Sequence, residues 1–160
     1  MRRVPSLFLC LLLLAGCSVK SFPVPTIGME PTIMAGSRVL VNTSYYRKNP
    51  VQRFDLVVVK EPDEWTKDSV RRVVGLGGET LQIQSGKVLV NGKELKETFS
   101  FISSSKKFGP ITIPEGRFFV LGDNRPAAYD STGWREPTIG KDDIAGKVIK
   151  IVGNSKRGRS

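Results

Sequence analysis

The chain has 160 residues, a length suited to one domain, of which 39% are hydrophobic and 25% charged. It has no histidine and two cysteines, which excludes Ser-His-Asp and Cys-His nucleophile activation, histidine-bound zinc and a thiolate cage; no metal and no cofactor is expected, and any proton carrier must be a carboxylate, a lysine or a tyrosine. Sixteen glycines and ten prolines favour many turns and few long helices, and the net charge of +10 favours an anionic neighbour, lipid headgroups or nucleic acid.

Met1-Arg2-Arg3 is a basic start, Leu7 to Leu14 an apolar run, and Ala15-Gly16 places two small residues before Cys17. This is the grammar of an export signal, and the run to Cys17 falls well short of the roughly 20 residues that cross a bilayer as a helix. Leu14-Ala15-Gly16-Cys17 resembles a bacterial lipobox. The resemblance implies that residues 1–16 are removed and that Cys17 is acylated, leaving residues 17–22 as a lipid-anchored linker and the lipid bilayer as a partner through Cys17. Ser18 after the cysteine, in place of Asp, permits sorting to the outer membrane of a Gram-negative cell. The mature chain would keep no second cysteine, so no disulfide is expected. An exported chain has no use for nucleic acid, which removes that partner.

Val19 to Pro25 reads as an extended lead-in, because Pro23 and Pro25 push their predecessors out of the helical region. Arg38 to Asn42 is a predicted strand, and Leu56-Val-Val-Val-Lys60 a strand buried on both faces. Ser69 to Val74 follows, then a turn at Gly75-Leu-Gly-Gly78. Thr80 to Gln84 and Lys87 to Val90 alternate apolar and polar residues across Ser85-Gly86, a hairpin pattern, and Asn91-Gly92 supplies a second tight turn. Phe99 to Gly109, rich in serine and lysine, reads as an exposed loop. Arg117 to Leu121 and Ile144 to Val152 are the last strands, and residues 153–160 form a basic, solvated tail.

Three segments then fall into one order. Phe22-Pro-Val-Pro-Thr26-Ile-Gly28-Met29-Glu-Pro31-Thr32, Ser69-Val-Arg71-Arg72-Val-Val-Gly75-Leu-Gly-Gly78-Glu79, and Phe119-Val-Leu-Gly122-Asp123-Asn124-Arg125 with Asp130-Ser131 resemble the nucleophile segment, the general-base strand and the closing motif of type I signal peptidases. The resemblance covers roughly residues 22–152. It implies an all-β domain over residues 23–152, built of coiled antiparallel β-sheets with a Ser/Lys-containing loop insertion. It further implies a membrane-associated catalytic face and a serine–lysine dyad that cleaves exported preproteins after small residues.

By that resemblance Gly28 stands where the family carries its serine, and Arg71 where it carries its lysine. Glycine offers no nucleophile, and a guanidinium that titrates above about 12 is no neutral base. Ala128 and Thr132 depart from the family's pattern as well. Thr26 aligns with the hydroxyl that supports the oxyanion beside the Gly28 N–H. Met29 and Val70 are expected to line a small-residue pocket, and by the resemblance the strands near Val24 to Gly28 and Asp68 to Arg72 are expected to pair with a peptide backbone by strand addition, with Arg71 meeting a carboxylate. Gly122, Asp123, Asn124 and Arg125 read as a turn hydrogen-bonding its own backbone, with Asp130 and Ser131 completing a structural motif. Three readings follow. The chain is an extracytoplasmic, membrane-anchored lipoprotein that has lost peptidase activity and binds peptides of exported proteins or an active signal peptidase; or an active peptidase with a displaced dyad; or a structural lipoprotein without a working groove.

Overall fold

The computed structural model describes residues 18–153. The export signal, the lipobox with Cys17 and the tail from Asn154 onward lie outside the described residues. Eleven strands are present: β1 (Val19–Val24), β2 (Ser37–Asn42), β3 (Leu56–Glu61), β4 (Glu64–Leu76), β5 (Thr80–Gln84), β6 (Lys87–Val90), β7 (Lys93–Glu94), β8 (Phe108–Thr112), β9 (Arg117–Leu121), β10 (Ile139–Gly140) and β11 (Ile144–Val152). They pair antiparallel into a seven-stranded sheet ordered β1-β2-β11-β3-β4-β9-β10 and a four-stranded sheet ordered β7-β6-β5-β8. Among the described residues, helix is confined to Tyr45–Lys48 and two three-residue 3-10 turns, Ile27–Met29 and Lys141–Asp143.

The β-branched run of β3 does what its pattern predicts. Val58 packs with Val24, Met29, Ile33, Val39, Val41 and Val70. Val57 and Val59 point to the other side, onto Val73, Val120, Trp134 and Ile139. A third cluster of Val74, Leu81, Ile83, Val88, Ile113, Phe119 and Leu121 joins the small sheet to the large one. Each of these aliphatic side chains contributes about 1.5–3 kcal/mol on leaving water, so β3 and β4, which serve all three clusters between them, hold the domain together.

The hairpin turns also follow the sequence. Ser85 and Gly86 have φ of 48° and 83°, and Asn91 and Gly92 have 50° and 76°, so both pairs occupy the left-handed region that two-residue hairpin turns require. Two expectations are corrected. Gly75 and Leu76 remain in β4, which shifts register against β9 between Val73 and Gly75, and the turn falls at Gly77-Gly78. Residues 99–109 are not simply an exposed loop. Phe99 lies 3.8 Å under the Arg72 guanidinium and Phe101 4.6 Å from that of Arg125, Ile102 makes a parallel bridge to Asn124, and Phe108 and Gly109 open β8. The two aromatic rings cover buried arginines, a use of the segment that its serines and lysines conceal.

Candidate functional site: a groove between two strand edges

Among the described residues strand β1 pairs with β2 alone, which leaves its outer edge unpaired. Strand β4 meets β9 only from Arg72 to Leu76, which leaves its edge from Asp68 to Arg71 unpaired on the β9 side among the described residues. Between these edges lies a groove of about 640 Å³, lined by Phe22 to Met29, Glu61, Asp68 to Arg71 and Ala127 to Tyr129. Unpaired backbone N–H and C=O groups along a strand edge are ready partners for an extended peptide.

The structure brings Thr26, Gly28, Met29, Asp68, Val70 and Arg71 together along this groove. Thr26 precedes the Ile27–Met29 turn with extended dihedrals, and its hydroxyl makes no capping hydrogen bond. Gly28 is buried, and a Cβ built on it would sit 3.7 Å from Ala128 and 3.8 Å from the Thr26 Oγ1, ordinary contacts that leave room for a side chain. Met29 and Val70 are 1% and 4% exposed and belong to the core beneath the groove, while Asp68 is exposed at its rim.

Arg71 is 4% exposed, and its guanidinium is engaged within the chain. Nη2 pairs with Glu61 Oε1 at 2.8 Å, Nε and Nη2 donate to the Tyr129 carbonyl at 3.1 and 2.6 Å, and Nη1 donates to the Val70 carbonyl at 2.7 Å. Burial pulls its pKa below the ordinary arginine value, while the charges of Glu61 and Asp130 oppose that fall. The carboxylate that Arg71 was expected to find on a ligand is therefore supplied by Glu61. Sequence reasoning missed Glu61, Ser69 and Tyr129. Glu61 closes a strand ten residues before Arg71 and becomes its neighbour only when β3 and β4 pair. The Ser69 hydroxyl is buried in the groove wall without a hydrogen-bond partner. Tyr129 Oη donates to Asp63 at 2.6 Å and, with the Arg135 N–H, holds that carboxyl below its ordinary range.

The closing motif supports the groove from behind. The Asn124 N–H donates to the Gly28 carbonyl at 3.0 Å, and Asn124 Nδ2 to that of Ile27 at 3.1 Å. A Cβ on Gly122 would come within 2.5 Å of the Gly28 oxygen, so only glycine lets the two segments approach this closely. Asp130 accepts the Gly122 N–H at 3.0 Å and Ser131 Oγ accepts that of Val120 at 3.0 Å. The reading of Gly122 to Arg125 as a self-bonded turn is corrected at Asp123, whose carboxylate instead binds Arg72 in bidentate fashion at 2.8 and 2.6 Å and accepts from Thr32. Arg125 does bond its own turn, through Nε to the Gly122 carbonyl at 2.9 Å, and also pairs with Glu97.

The fold and the site define an all-β, antiparallel class of protein in which two strand edges flank a groove backed by a Gly-Asp-Asn-Arg turn. The chain belongs to the signal peptidase, peptidase S26, family, whose profile matches residues 1–152. It is 36% identical over 134 residues to signal peptidase I of Leptolyngbya laminosa, covering 79% of this chain and 64% of that protein. It is 32% identical over 139 residues to probable signal peptidase I-2 of Synechocystis sp., covering 81% and 64%, and 34% identical over 124 residues to signal peptidase I V of Bacillus subtilis, covering 69% and 73%. The chain thus spans 64% of the length of each of the first two relatives. The crystal structure of a signal peptidase I from Enterococcus faecalis superposes with a TM-score of 0.51 at 25% identity, covering 62% of this chain and 97% of that one. Among the described residues no helix is long and apolar enough to cross a membrane.

Proposed function

We propose that this protein is an extracytoplasmic, lipid-anchored member of the signal peptidase family that binds extended peptides of exported proteins without cleaving them. The observation that carries the reading is the groove itself. Its two open strand edges are intact, yet position 28 has no side chain and position 71 holds a guanidinium already paired with Glu61. Backbone pairing needs only the main chain, whereas hydrolysis by a serine–lysine pair needs both side chains. Among the described residues lining the groove there is no lysine to take a proton from the hydroxyls of Thr26 and Ser69.

The test uses the full chain in membranes or detergent with a fluorescent peptide ending in a small-residue cleavage sequence. Saturable binding with the peptide intact after prolonged incubation is the expected result. Turnover that disappears in Thr26→Ala or Ser69→Ala would establish a displaced nucleophile instead, and absence of binding would leave a structural lipoprotein. The anchor is checked separately: labelled fatty acid should enter the protein and fail to enter Cys17→Ala.

A further inference from the structure

Arg71 is the only cation among the described residues lining the groove, and Glu61 and Asp68 are its acids. The two acids differ in kind. Asp68 is exposed and stands opposite Lys60 in the β3–β4 ladder, so water and that lysine screen it. Glu61 is 8% exposed, and its Oε1 lies 2.8 Å from Arg71 Nη2, itself on a residue only 4% exposed. Asp130 acts on Arg71 from behind, engaged with the Gly122 and Thr132 N–H groups and the Thr132 hydroxyl. Among the described residues, the guanidinium's other contacts are the neutral carbonyls of Tyr129 and Val70. Glu61 is thus the carboxylate that cancels the charge of Arg71 at the groove wall.

We propose that Glu61 is the specificity-determining residue of this groove: by neutralising Arg71 it makes the groove accept a peptide whose side chains are uncharged at that point and offer nothing to an anionic one. The inference rests on the peptide-binding reading and names the class of peptide that fits. A groove wall shields charges poorly, so one uncompensated charge there changes relative affinity for a charged side chain by about tenfold or more. Removing Glu61 leaves Arg71 without its ion-pair partner at the wall and favours a carboxylate. Removing Arg71 leaves Glu61 without its partner and favours an ammonium. Removing both takes out the pair and leaves the net charge of the wall as it is in the native protein, and such a swap of a buried pair for apolar side chains is well tolerated.

The experiment measures fluorescence anisotropy with alanine-rich peptides in which one position at a time is Gln, Glu or Lys. In the native protein, at the position lying over the pair, Gln is expected to bind best. In Glu61→Gln the Glu peptide should gain about tenfold relative to Gln, and in Arg71→Met the Lys peptide should gain by a similar factor. Glu61→Leu with Arg71→Met should keep the native order. Ratios of affinities are insensitive to a smaller folded fraction, and either single variant suffices if the other does not fold. Unchanged Glu:Gln and Lys:Gln ratios in the single variants would overturn the proposal, as would a double variant that shifts like Glu61→Gln. Failure of every peptide to bind the native protein would instead remove the groove reading beneath it.

Discussion

At the scale of single residues, the chemistry of positions 28 and 71 can be reasoned through to an experiment. A Cβ at position 28 would meet Ala128 and the Thr26 Oγ1 only at ordinary contact distances, so the backbone there tolerates the first atom of a serine side chain. Position 71 is different, because its neighbour Glu61 would pair with a lysine as it does with arginine. A carboxylate at hydrogen-bond distance favours the charged amine, and a charged amine accepts no proton. Gly28→Ser with Arg71→Lys is therefore expected to remain inert toward a preprotein peptide at neutral pH. Adding Glu61→Leu removes the carboxylate at hydrogen-bond distance and leaves the lysine desolvated, with only the more remote charge of Asp130 acting on it, which lowers its pKa and gives the serine a base. Measurable turnover in the triple variant and none in the double is the expected result, read by peptide cleavage across a pH series; equal activity in both would show that Glu61 has no hold on position 71. The residue types at 28 and 71 are legible in the sequence. Glu61 is not, because no spacing rule links the end of one strand to the middle of the next until their register is known.

At the scale of elements, the hairpins were legible because their turns carry their own chemistry. Ser85-Gly86 and Asn91-Gly92 both adopt positive φ. The two glycines nonetheless sit in different surroundings. A Cβ on Gly92 would meet nothing within 4 Å, whereas one on Gly86 would fall 1.7 Å from the Ser104 carbonyl oxygen. Gly92→Ala is expected to cost only the left-handed penalty of about 1–2 kcal/mol. Gly86→Ala should cost more, since it must also push the 99–109 segment away from the hairpin. Urea unfolding of the two variants checks this, and equal losses would contradict the packing of Ser104 on the turn. The same contact explains the misread segment. Its composition marks a loop, but Phe99 covers Arg72 on β4 and Phe101 covers Arg125 in the turn after β9, and aromatic residues in a polar stretch do not announce which charge they will cover.

At the scale of the whole molecule, the Arg72–Asp123 pair joins parts of the chain that are far apart. Arg72 is on β4, Asp123 follows β9, Thr32 donates to Asp123 from beyond the Ile27–Met29 turn, and Phe54 supplies its carbonyl to Arg72 at 3.1 Å. Asp123 is fully buried and Arg72 is 6% exposed, so removing one partner strands the other charge in the interior. Asp123→Ala is expected to cost about 3–5 kcal/mol, and replacing both partners with apolar side chains to cost far less, as measured by denaturant midpoints. A small loss in Asp123→Ala would mean that the pair is solvated in practice. The sequence by itself determined the strands over 38–42, 56–60, 69–74, 80–84, 87–90, 117–121 and 144–152, the two hairpin turns, the doubly buried β3 and the order of motifs along the chain, because β-branched runs, alternation and turn dipeptides act over a few residues; the short strands β7, β8 and β10 were not legible in it. It also determined that no histidine chemistry occurs and that Gly28 and Arg71 carry no serine and no lysine. Only the tertiary structure decided that Arg71 is held by Glu61, that Asp123 belongs to Arg72 rather than to its own turn, and that two strand edges remain open beside one another. Those outcomes depend on the register between strands and on which buried charge finds which partner, and burial makes that choice only after the strands have come together.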